Sequence, residues 1–86
     1  MIDYTITFAR SARKELEALQ RNLVDRILPR IENLATDPRP HGCRKLTGAK
    51  NRWRIRVGDY RVIYSVSDKD RLIDVIAVRH RSEAYD

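Results

Sequence analysis

Residues 52–57 read Arg-Trp-Arg-Ile-Arg-Val, so cationic and apolar side chains alternate strictly along this segment. Successive side chains of a β-strand point to opposite faces of its sheet, whereas on a helix the same spacing would scatter the arginines. We therefore predict a strand over Trp53–Val57 with its apolar face in a core. Arg52, Arg54 and Arg56 then share the opposite face, which any fold of this chain has to leave open to solvent or to an anion.

The chain has 86 residues, which suits a single domain, and we predict one domain over residues 1–86. Its only cysteine, Cys43, excludes an internal disulfide framework, and with two histidines it is too little for a structural zinc site. No apolar run approaches the roughly 18 residues of a membrane span, and no signal peptide is recognisable. We expect a soluble, cytoplasmic protein with no metal, no cofactor and no membrane partner.

The first half of the chain is predicted to hold one strand and two helices. Tyr4–Phe8 alternates aromatic or β-branched residues with polar ones, as a strand does. Apolar residues then recur every three or four positions, which predicts two amphipathic helices joined by a short link near residues 20–22. Asn22 followed by Asp25 resembles a capping box at the start of the second helix.

Proline and glycine mark where the predicted elements end. Pro29 lies inside the second helical pattern and predicts a kink or a break, because proline has no N–H to donate. The sequence Asp-Pro-Arg-Pro-His-Gly over residues 37–42 ends the helical half. A Gly-Asp pair predicts a tight hairpin leading into a strand over Tyr60–Val66. A polar turn then precedes a last strand over Leu72–Val78, whose nearly continuous apolar character favours a central position.

The predicted order is therefore β-α-α-β-β-β. These elements imply an α+β fold in which a small, twisted, mostly antiparallel sheet packs a two-helix hairpin on one face. The arginines emerge on the other face of the sheet, and this placement makes that face the first candidate for function.

Positive charge is concentrated in the second half of the chain. The net charge is +6 at pH 7, and residues 44–81 hold eleven Lys and Arg against four Asp. Eight of these eleven residues are arginines, which bind phosphate through two parallel hydrogen bonds. The asymmetry indicates a polyanionic partner, either a nucleic acid or an acidic protein. The alternative is an ordinary solvated face.

Several side chains near these arginines have chemistry of their own. Arg61 follows the hairpin and can join the arginines of the preceding strand, while Arg79 and Arg81 follow the last strand. His80 is the residue near this cluster that exchanges a proton near neutral pH, so it is a candidate general base, with a structural role as the alternative. Tyr85 lies in a polar tail, where it either closes the core or stacks on a nucleotide base.

Three segments together resemble the RelE/ParE toxin superfamily: residues 44–48, residues 53–64 and residues 75–85. Members of this superfamily are the toxins of type II toxin–antitoxin pairs. The resemblance to the RelE branch implies a ribosome-dependent endoribonuclease that cuts mRNA in the ribosomal A site, without a metal, by attack of the ribose 2′-OH. The ParE branch instead inhibits DNA gyrase, and it is the alternative. A third interpretation is an RNA-binding module with no activity.

The resemblance also implies roles for particular residues, although Arg79, His80 and Arg81 compete for one position after the last strand. Arginine stands at positions 54 and 56, where the RelE type member has lysine, and arginine does not give up its proton in a protein. A general-base role of lysine therefore does not transfer. The implied catalytic residues are Arg54, Arg56, Arg61, His80, Arg81 and Tyr85, and the implied RNA contacts are Lys45, Arg52 and Arg79.

The resemblance further implies partners. A toxin of this kind is neutralised by a cognate antitoxin, expected to be RelB-like and acidic, with a segment that folds over the helices and the basic face. The complex is expected to be hetero-oligomeric. The other expected partners are the ribosome and its mRNA.

Overall fold

The structure is a computed structural model that describes residues 3–48 and 50–82. Each element corresponds to a hydrophobic period of the sequence, except for one very short strand. The strands are β1 (Thr5–Phe8), β2 (Arg44–Lys45), β3 (Arg52–Val57), β4 (Tyr60–Ser67) and β5 (Leu72–His80), and the helices are α1 (Arg10–Glu17) and α2 (Arg21–Glu32), the latter followed by a 3₁₀ turn at Asn33–Ala35.

The five strands form one sheet in the order β1-β5-β4-β3-β2. β1 pairs with β5 in parallel, and the other neighbours are antiparallel, which confirms the predicted α+β fold with a mostly antiparallel sheet. The additional strand β2 was expected to be part of the connection. Its two residues are too few for an alternating pattern, so the sequence carried no signal for it.

The structure contradicts the predicted start of α2 and one of the two alternatives predicted for Pro29, the break. The helix begins at Arg21 after an N-cap residue, Gln20, that makes no side-chain capping bond, so the expected capping box of Asn22 and Asp25 does not form. The helix also continues through Pro29 as far as Glu32, so the proline does not break it. Tertiary packing of the apolar stripe outweighs the lost hydrogen bond, since Ile27 and Ile31 are fully buried on either side of the proline.

The core lies between the two helices and one face of the sheet. Ala12 of α1 and the two buried isoleucines of α2 pack on the apolar side chains of the three long strands. Trp53 and Tyr60 are partly buried against this cluster, and Tyr64 is completely buried in it. No helix within residues 3–48 and 50–82 is long and apolar enough to cross a membrane.

A β-bulge interrupts β5 and changes which residues face the core. Tyr64 of β4 pairs with Val75, whereas its neighbour Ile63 pairs with Ala77, so Ile76 is an extra residue without a partner on β4. Before the bulge Val75 faces the helices, and after it Val78 does. β5 is an interior strand, and the bulge shifts its alternation by one residue. After the bulge each side chain therefore points to the sheet face opposite to the one it would take in a regular strand.

The connector between the helices and β2 is fixed to the sheet at two points. The hydroxyl of Tyr64 donates a hydrogen bond of 2.7 Å to the carbonyl oxygen of Pro38. Arg39 donates two hydrogen bonds, of 2.9 and 3.2 Å, to the carboxylate of Asp68, which also accepts one from the hydroxyl of Tyr4. The bonds from Arg39 and Tyr4 lower the pKa of the Asp68 carboxyl, and the Tyr4 pKa is raised in turn.

Replacement of the buried tyrosine tests the first anchor. We expect Tyr64→Phe to lower the free energy of unfolding by about 1–2 kcal/mol at pH 7, because the Pro38 carbonyl loses its partner. Burial raises the pKa of Tyr64 above its ordinary 10.0, so this residue stabilises the fold fully below pH 10 and progressively less above it. The difference between the two proteins should therefore shrink above pH 10.

Urea denaturation at pH 7 and at alkaline pH measures this effect. The matched control is Tyr60→Phe, because the Tyr60 hydroxyl makes no hydrogen bond within the part of the chain that the structure describes. Equal losses of stability in the two variants would contradict an anchoring role for Tyr64.

Candidate nucleic-acid interface

The sheet face turned away from the helices, here called the open face, carries arginines on three adjacent strands. Arg56 of β3 pairs with Arg61 of β4, and Arg61 pairs with Arg79 of β5. Directly paired residues of antiparallel strands are about 4.5–5.5 Å apart at Cα, so their side chains are neighbours. We call Arg56, Arg61 and Arg79 the arginine row. Like charges placed opposite each other destabilise a sheet, which favours an anionic ligand above the row.

The bulge in β5 places Arg79 in this row. Without the extra residue at Ile76, the alternation set by Val75 would turn position 79 toward the helices and position 80 toward the open face. The observed register does the reverse. Of the residues that competed in the sequence for one site position, Arg79 is therefore the one that lies on the open face within the strand.

Arg81 approaches the row from the turn that follows β5. Its backbone N–H donates a hydrogen bond of 2.7 Å to the carbonyl oxygen of Asp59, in the β3–β4 hairpin. Arg81, Arg56, Arg61 and Asp59 line a recess of about 270 Å³ at this end of the sheet. A water molecule occupies about 30 Å³, so the recess has room for a phosphate group.

The carboxylate of Asp59 is one of the groups that line this recess. Its Oδ1 atom lies 3.9 Å from Nε of Arg81, and both side chains are largely exposed. Exposed pairs at this distance are weak, so the pair of Asp59 and Arg81 contributes little to stability. The hairpin itself depends on Gly58, whose φ of 61° suits the first central position of a two-residue turn.

The two predicted arginines at the start of β3, Arg52 and Arg54, differ in how accessible they are. Arg54 shares the open face but is only 3% exposed, so it lies beneath the surface that an RNA strand would contact. Arg52 is exposed two residues earlier on the same strand. Arg44 pairs with Arg54 and is also exposed on the open face. It was not among the predicted site residues, because strand β2 was not predicted.

His80 is not brought to the arginine row. It pairs with Tyr60 on the helix side of the sheet, where the two rings meet edge to face with centroids 5.4 Å apart. There His80 lines a separate cavity of about 210 Å³ together with Leu23 and Ile27 of α2. The backbone N–H of Ser82 donates a hydrogen bond of 3.2 Å to Nδ1, which makes that atom an acceptor. The pocket and the row meet only at the hairpin end of the sheet.

Lys45, a predicted RNA contact, also lies outside the row. Lys45 pairs with Trp53 on β3, and its ammonium group lies 5.9 Å from the centroid of the indole ring, on the helix side. The guanidinium of Arg39 lies 5.0 Å from the same centroid. Tyr85, implied to be catalytic and otherwise expected to close the core or stack on a base, lies outside the residues that the structure describes.

An acidic residue of α1 that the sequence analysis did not select contacts the arginine row. Glu15 accepts a hydrogen bond of 3.1 Å from Nε of Arg79. Glu15 could have been found only indirectly. β5 is longer than its parallel neighbour β1, so the far end of β5 needs hydrogen-bond partners from another element. Among the residues described, no group of three or more His, Cys, Asp or Glu could hold a metal ion.

Comparisons with known proteins place the chain in a family. The profile of the family described as the ParE toxin of the type II toxin–antitoxin system matches residues 6–85. The chain is also 32% identical over 75 residues to the protein named RelE1 of Methanocaldococcus jannaschii, and the match covers 84% of this chain and 83% of that protein.

Solved structures extend the likeness to the fold. The chain is similar to the archaeal RelE–RelB complex of Pyrococcus horikoshii, with a TM-score of 0.82, 32% identity and coverage of 96% of this chain and 100% of that chain. It is also similar to the intact Escherichia coli RelBE toxin–antitoxin complex, with a TM-score of 0.80, 25% identity and coverage of 96% and 99%. The chain therefore belongs to the RelE/ParE superfamily of type II toxin–antitoxin toxins and is RelE-like.

Proposed function

We propose that this toxin is a ribosome-dependent endoribonuclease that cleaves mRNA in the ribosomal A site and so inhibits translation. The observation that carries the proposal is the arginine row on the open face, with the recess beside Arg81 at its end. Three adjacent guanidinium groups provide several pairs of parallel donors, which match the oxygens of successive phosphates. Such a surface suits a single RNA strand, whose backbone is its most regular feature.

The proposed reaction needs three contributions. The ribose 2′-OH loses its proton and attacks the adjacent phosphorus, the bond to the 5′-oxygen breaks, and that oxygen takes up a proton. The products are a 2′,3′-cyclic phosphate and a free 5′-hydroxyl. Arg56 and Arg61 suit the stabilisation of the negative charge that builds up on the phosphate oxygens, because each guanidinium donates parallel hydrogen bonds to such oxygens. Neither removes the 2′-OH proton, since arginine keeps its own.

Proton transfer is assigned differently from the expectation based on sequence. His80 faces α2 rather than the arginine row, so we propose that it supports the hairpin end of the sheet and does not remove the 2′-OH proton. Tyr85 stays the proposed residue for orienting the substrate or transferring its protons, and solvent held in the ribosomal A site is the proposed acceptor of the 2′-OH proton. The ribosome supplies the remaining geometry, since holding the reacting atoms in line is by itself a large part of such catalysis.

The protein proposed to neutralise this toxin is a RelB-like, acidic antitoxin. Two similar proteins, from Pyrococcus horikoshii and Escherichia coli, were solved as complexes of RelE with RelB. A net charge of +6 on this chain favours an acidic partner, and the open face is the region where a covering segment would block the arginine row. We expect a hetero-oligomeric complex.

Inhibition of DNA gyrase is the second candidate function, and the description of the matching family as ParE favours it. In that case the same basic surface would contact a protein or DNA without cutting RNA. The arginine row supports the nuclease over this candidate, because a transfer reaction at phosphorus needs donors placed together on one surface.

Substitution within the row tests the proposed site. We expect Arg56→Ala and Arg61→Ala each to lower the rate of mRNA cleavage on ribosomes by about 10²–10³-fold, the usual effect of losing one fixed donor to a developing negative charge. Both variants should also lose growth inhibition in cells. The measurement is primer extension on a defined mRNA incubated with programmed ribosomes.

The control for this experiment is Arg13→Ala, which removes the same charge from an exposed position of α1. Thermal unfolding of each variant shows whether the fold is intact. Full cleavage by both row variants would contradict the proposed site.

A comparison of two activities separates the nuclease from the gyrase inhibitor. We expect new mRNA ends to appear only when both the toxin and ribosomes are present, and plasmid supercoiling by purified gyrase to be unaffected by the toxin. The Arg56→Ala variant serves as the inactive control in both assays. Loss of supercoiling without new RNA ends would support gyrase inhibition instead.

His80 is tested in the same cleavage assay. Because its ring lies on the helix side, we expect His80→Gln to keep the cleavage rate within about twofold of the original protein, whereas loss of a general base costs about 10²–10⁴-fold. Arg39→Ala, remote from the row, is the control for small structural effects. If His80→Gln lowers the cleavage rate as much as Arg56→Ala does, His80 takes part in catalysis and the assignment made here is wrong.

A further inference from the structure

The outer edge of β5 changes partner halfway along the strand. β1 pairs with it only over Leu72–Val75, and the last backbone bond on that side runs from the N–H of Ala9 to the carbonyl of Val75. The chain then turns into α1. The rest of the edge, which leads to Arg79, would be left without hydrogen-bond partners if no other element replaced β1.

Two side chains of α1 take over this edge. The hydroxyl of Ser11 donates a hydrogen bond of 2.8 Å to the carbonyl of Ile76, and Oε1 of Glu15 accepts one of 3.0 Å from the N–H of Val78. Residues four apart on a helix are separated by about 6 Å along its axis, and residues two apart on a strand by about 6.8 Å. The matching repeats allow one face of α1 to follow the strand.

Glu15 also holds the next residue of the strand. Its second oxygen, Oε2, accepts the hydrogen bond of 3.1 Å from Nε of Arg79, so one carboxylate binds the backbone of Val78 and the side chain of Arg79. The bond uses Nε, and the two terminal nitrogens of Arg79 make no hydrogen bond to any residue of ranges 3–48 and 50–82. Their edge of the guanidinium is therefore available to a phosphate.

From this geometry we propose that Glu15 is a positioning residue, which fixes the guanidinium of Arg79 in the arginine row and so aligns the RNA phosphate for cleavage. The proposal rests on the nuclease function proposed above. Glu15 touches no substrate, and it acts through Arg79. An acidic residue beside an RNA site would otherwise be unfavourable, because it repels the phosphate backbone. Its two contacts to β5 explain why this position is acidic.

The test compares Glu15→Gln with Glu17→Gln. The glutamine at position 15 keeps an oxygen that can accept from the N–H of Val78, but its amide group cannot accept from Nε of Arg79. We expect a kcat for ribosome-bound mRNA about tenfold lower, with KM changed by less than about twofold, since a misplaced donor slows the chemical step. Glu17 is exposed on the same helix and undergoes the same change of charge, so Glu17→Gln should keep the original kcat.

A double-mutant cycle shows whether Glu15 acts through Arg79. In the Arg79→Ala background, Glu15→Gln should have no additional effect on kcat, and an undiminished effect there would overturn the proposal. Arg79→Lys keeps the charge and the Glu15–Val78 bond and should also show the lower kcat, because lysine lacks the fork of donors. An original kcat in both Glu15→Gln and Arg79→Lys would overturn it as well.

Arg56→Ala, measured in the same assay, separates this proposal from the nuclease proposal. If that variant loses cleavage while Glu15→Gln does not, the positioning role is overturned and the nuclease function stands. If Arg56→Ala and Glu15→Gln both keep full cleavage, the proposed function itself fails.

Discussion

The pairing of β5 with β4 determines what the toxin presents to its ligand. The bulge at Ile76 turns the end of β5 over, so that Arg79 points to the open face and His80 to the helices. A regular strand would have placed a titratable imidazole among the arginines and buried a guanidinium beneath α2. The extra residue therefore gives the open face a continuous row of cations, with the histidine on the opposite side. The chemistry proposed for this surface depends on that reversal.

The fold was largely predictable from the sequence because its long elements carry clear periods. The alternation of β3 identified both its strand character and its charged face, and the stripe of Ile27 and Ile31 identified α2 despite Pro29. In β5 the bulge falls inside an uninterrupted apolar run, where no change from polar to apolar marks the reversed register. This loss of signal is why Arg79 and His80 could not be assigned to their faces from sequence.

The sequence predicted that arginines form the candidate site, but it predicted less well which residues belong to the site. Arg56 and Arg61 followed from strand periodicity and hairpin register. Burial of Arg54 did not, since alternation shows which face a side chain takes but not how deeply it lies below its neighbours. Glu15 was missed because its role depends on a contact between segments 63 residues apart in the chain, which a local pattern does not contain.

The shortness of β2 has a consequence for the behaviour of the toxin in solution. Arg44 and Lys45 pair with the outer edge of β3, and the N–H of Leu46 donates a further hydrogen bond to the carbonyl of Arg52. Residues 55–57 pair on that side with no strand among the described residues. A long, flat border of this kind would invite intermolecular strand pairing and, in turn, aggregation. Here two copies that approach along this border bring cationic side chains against each other. Like charges that face each other across such a border disfavour the pairing of two sheets.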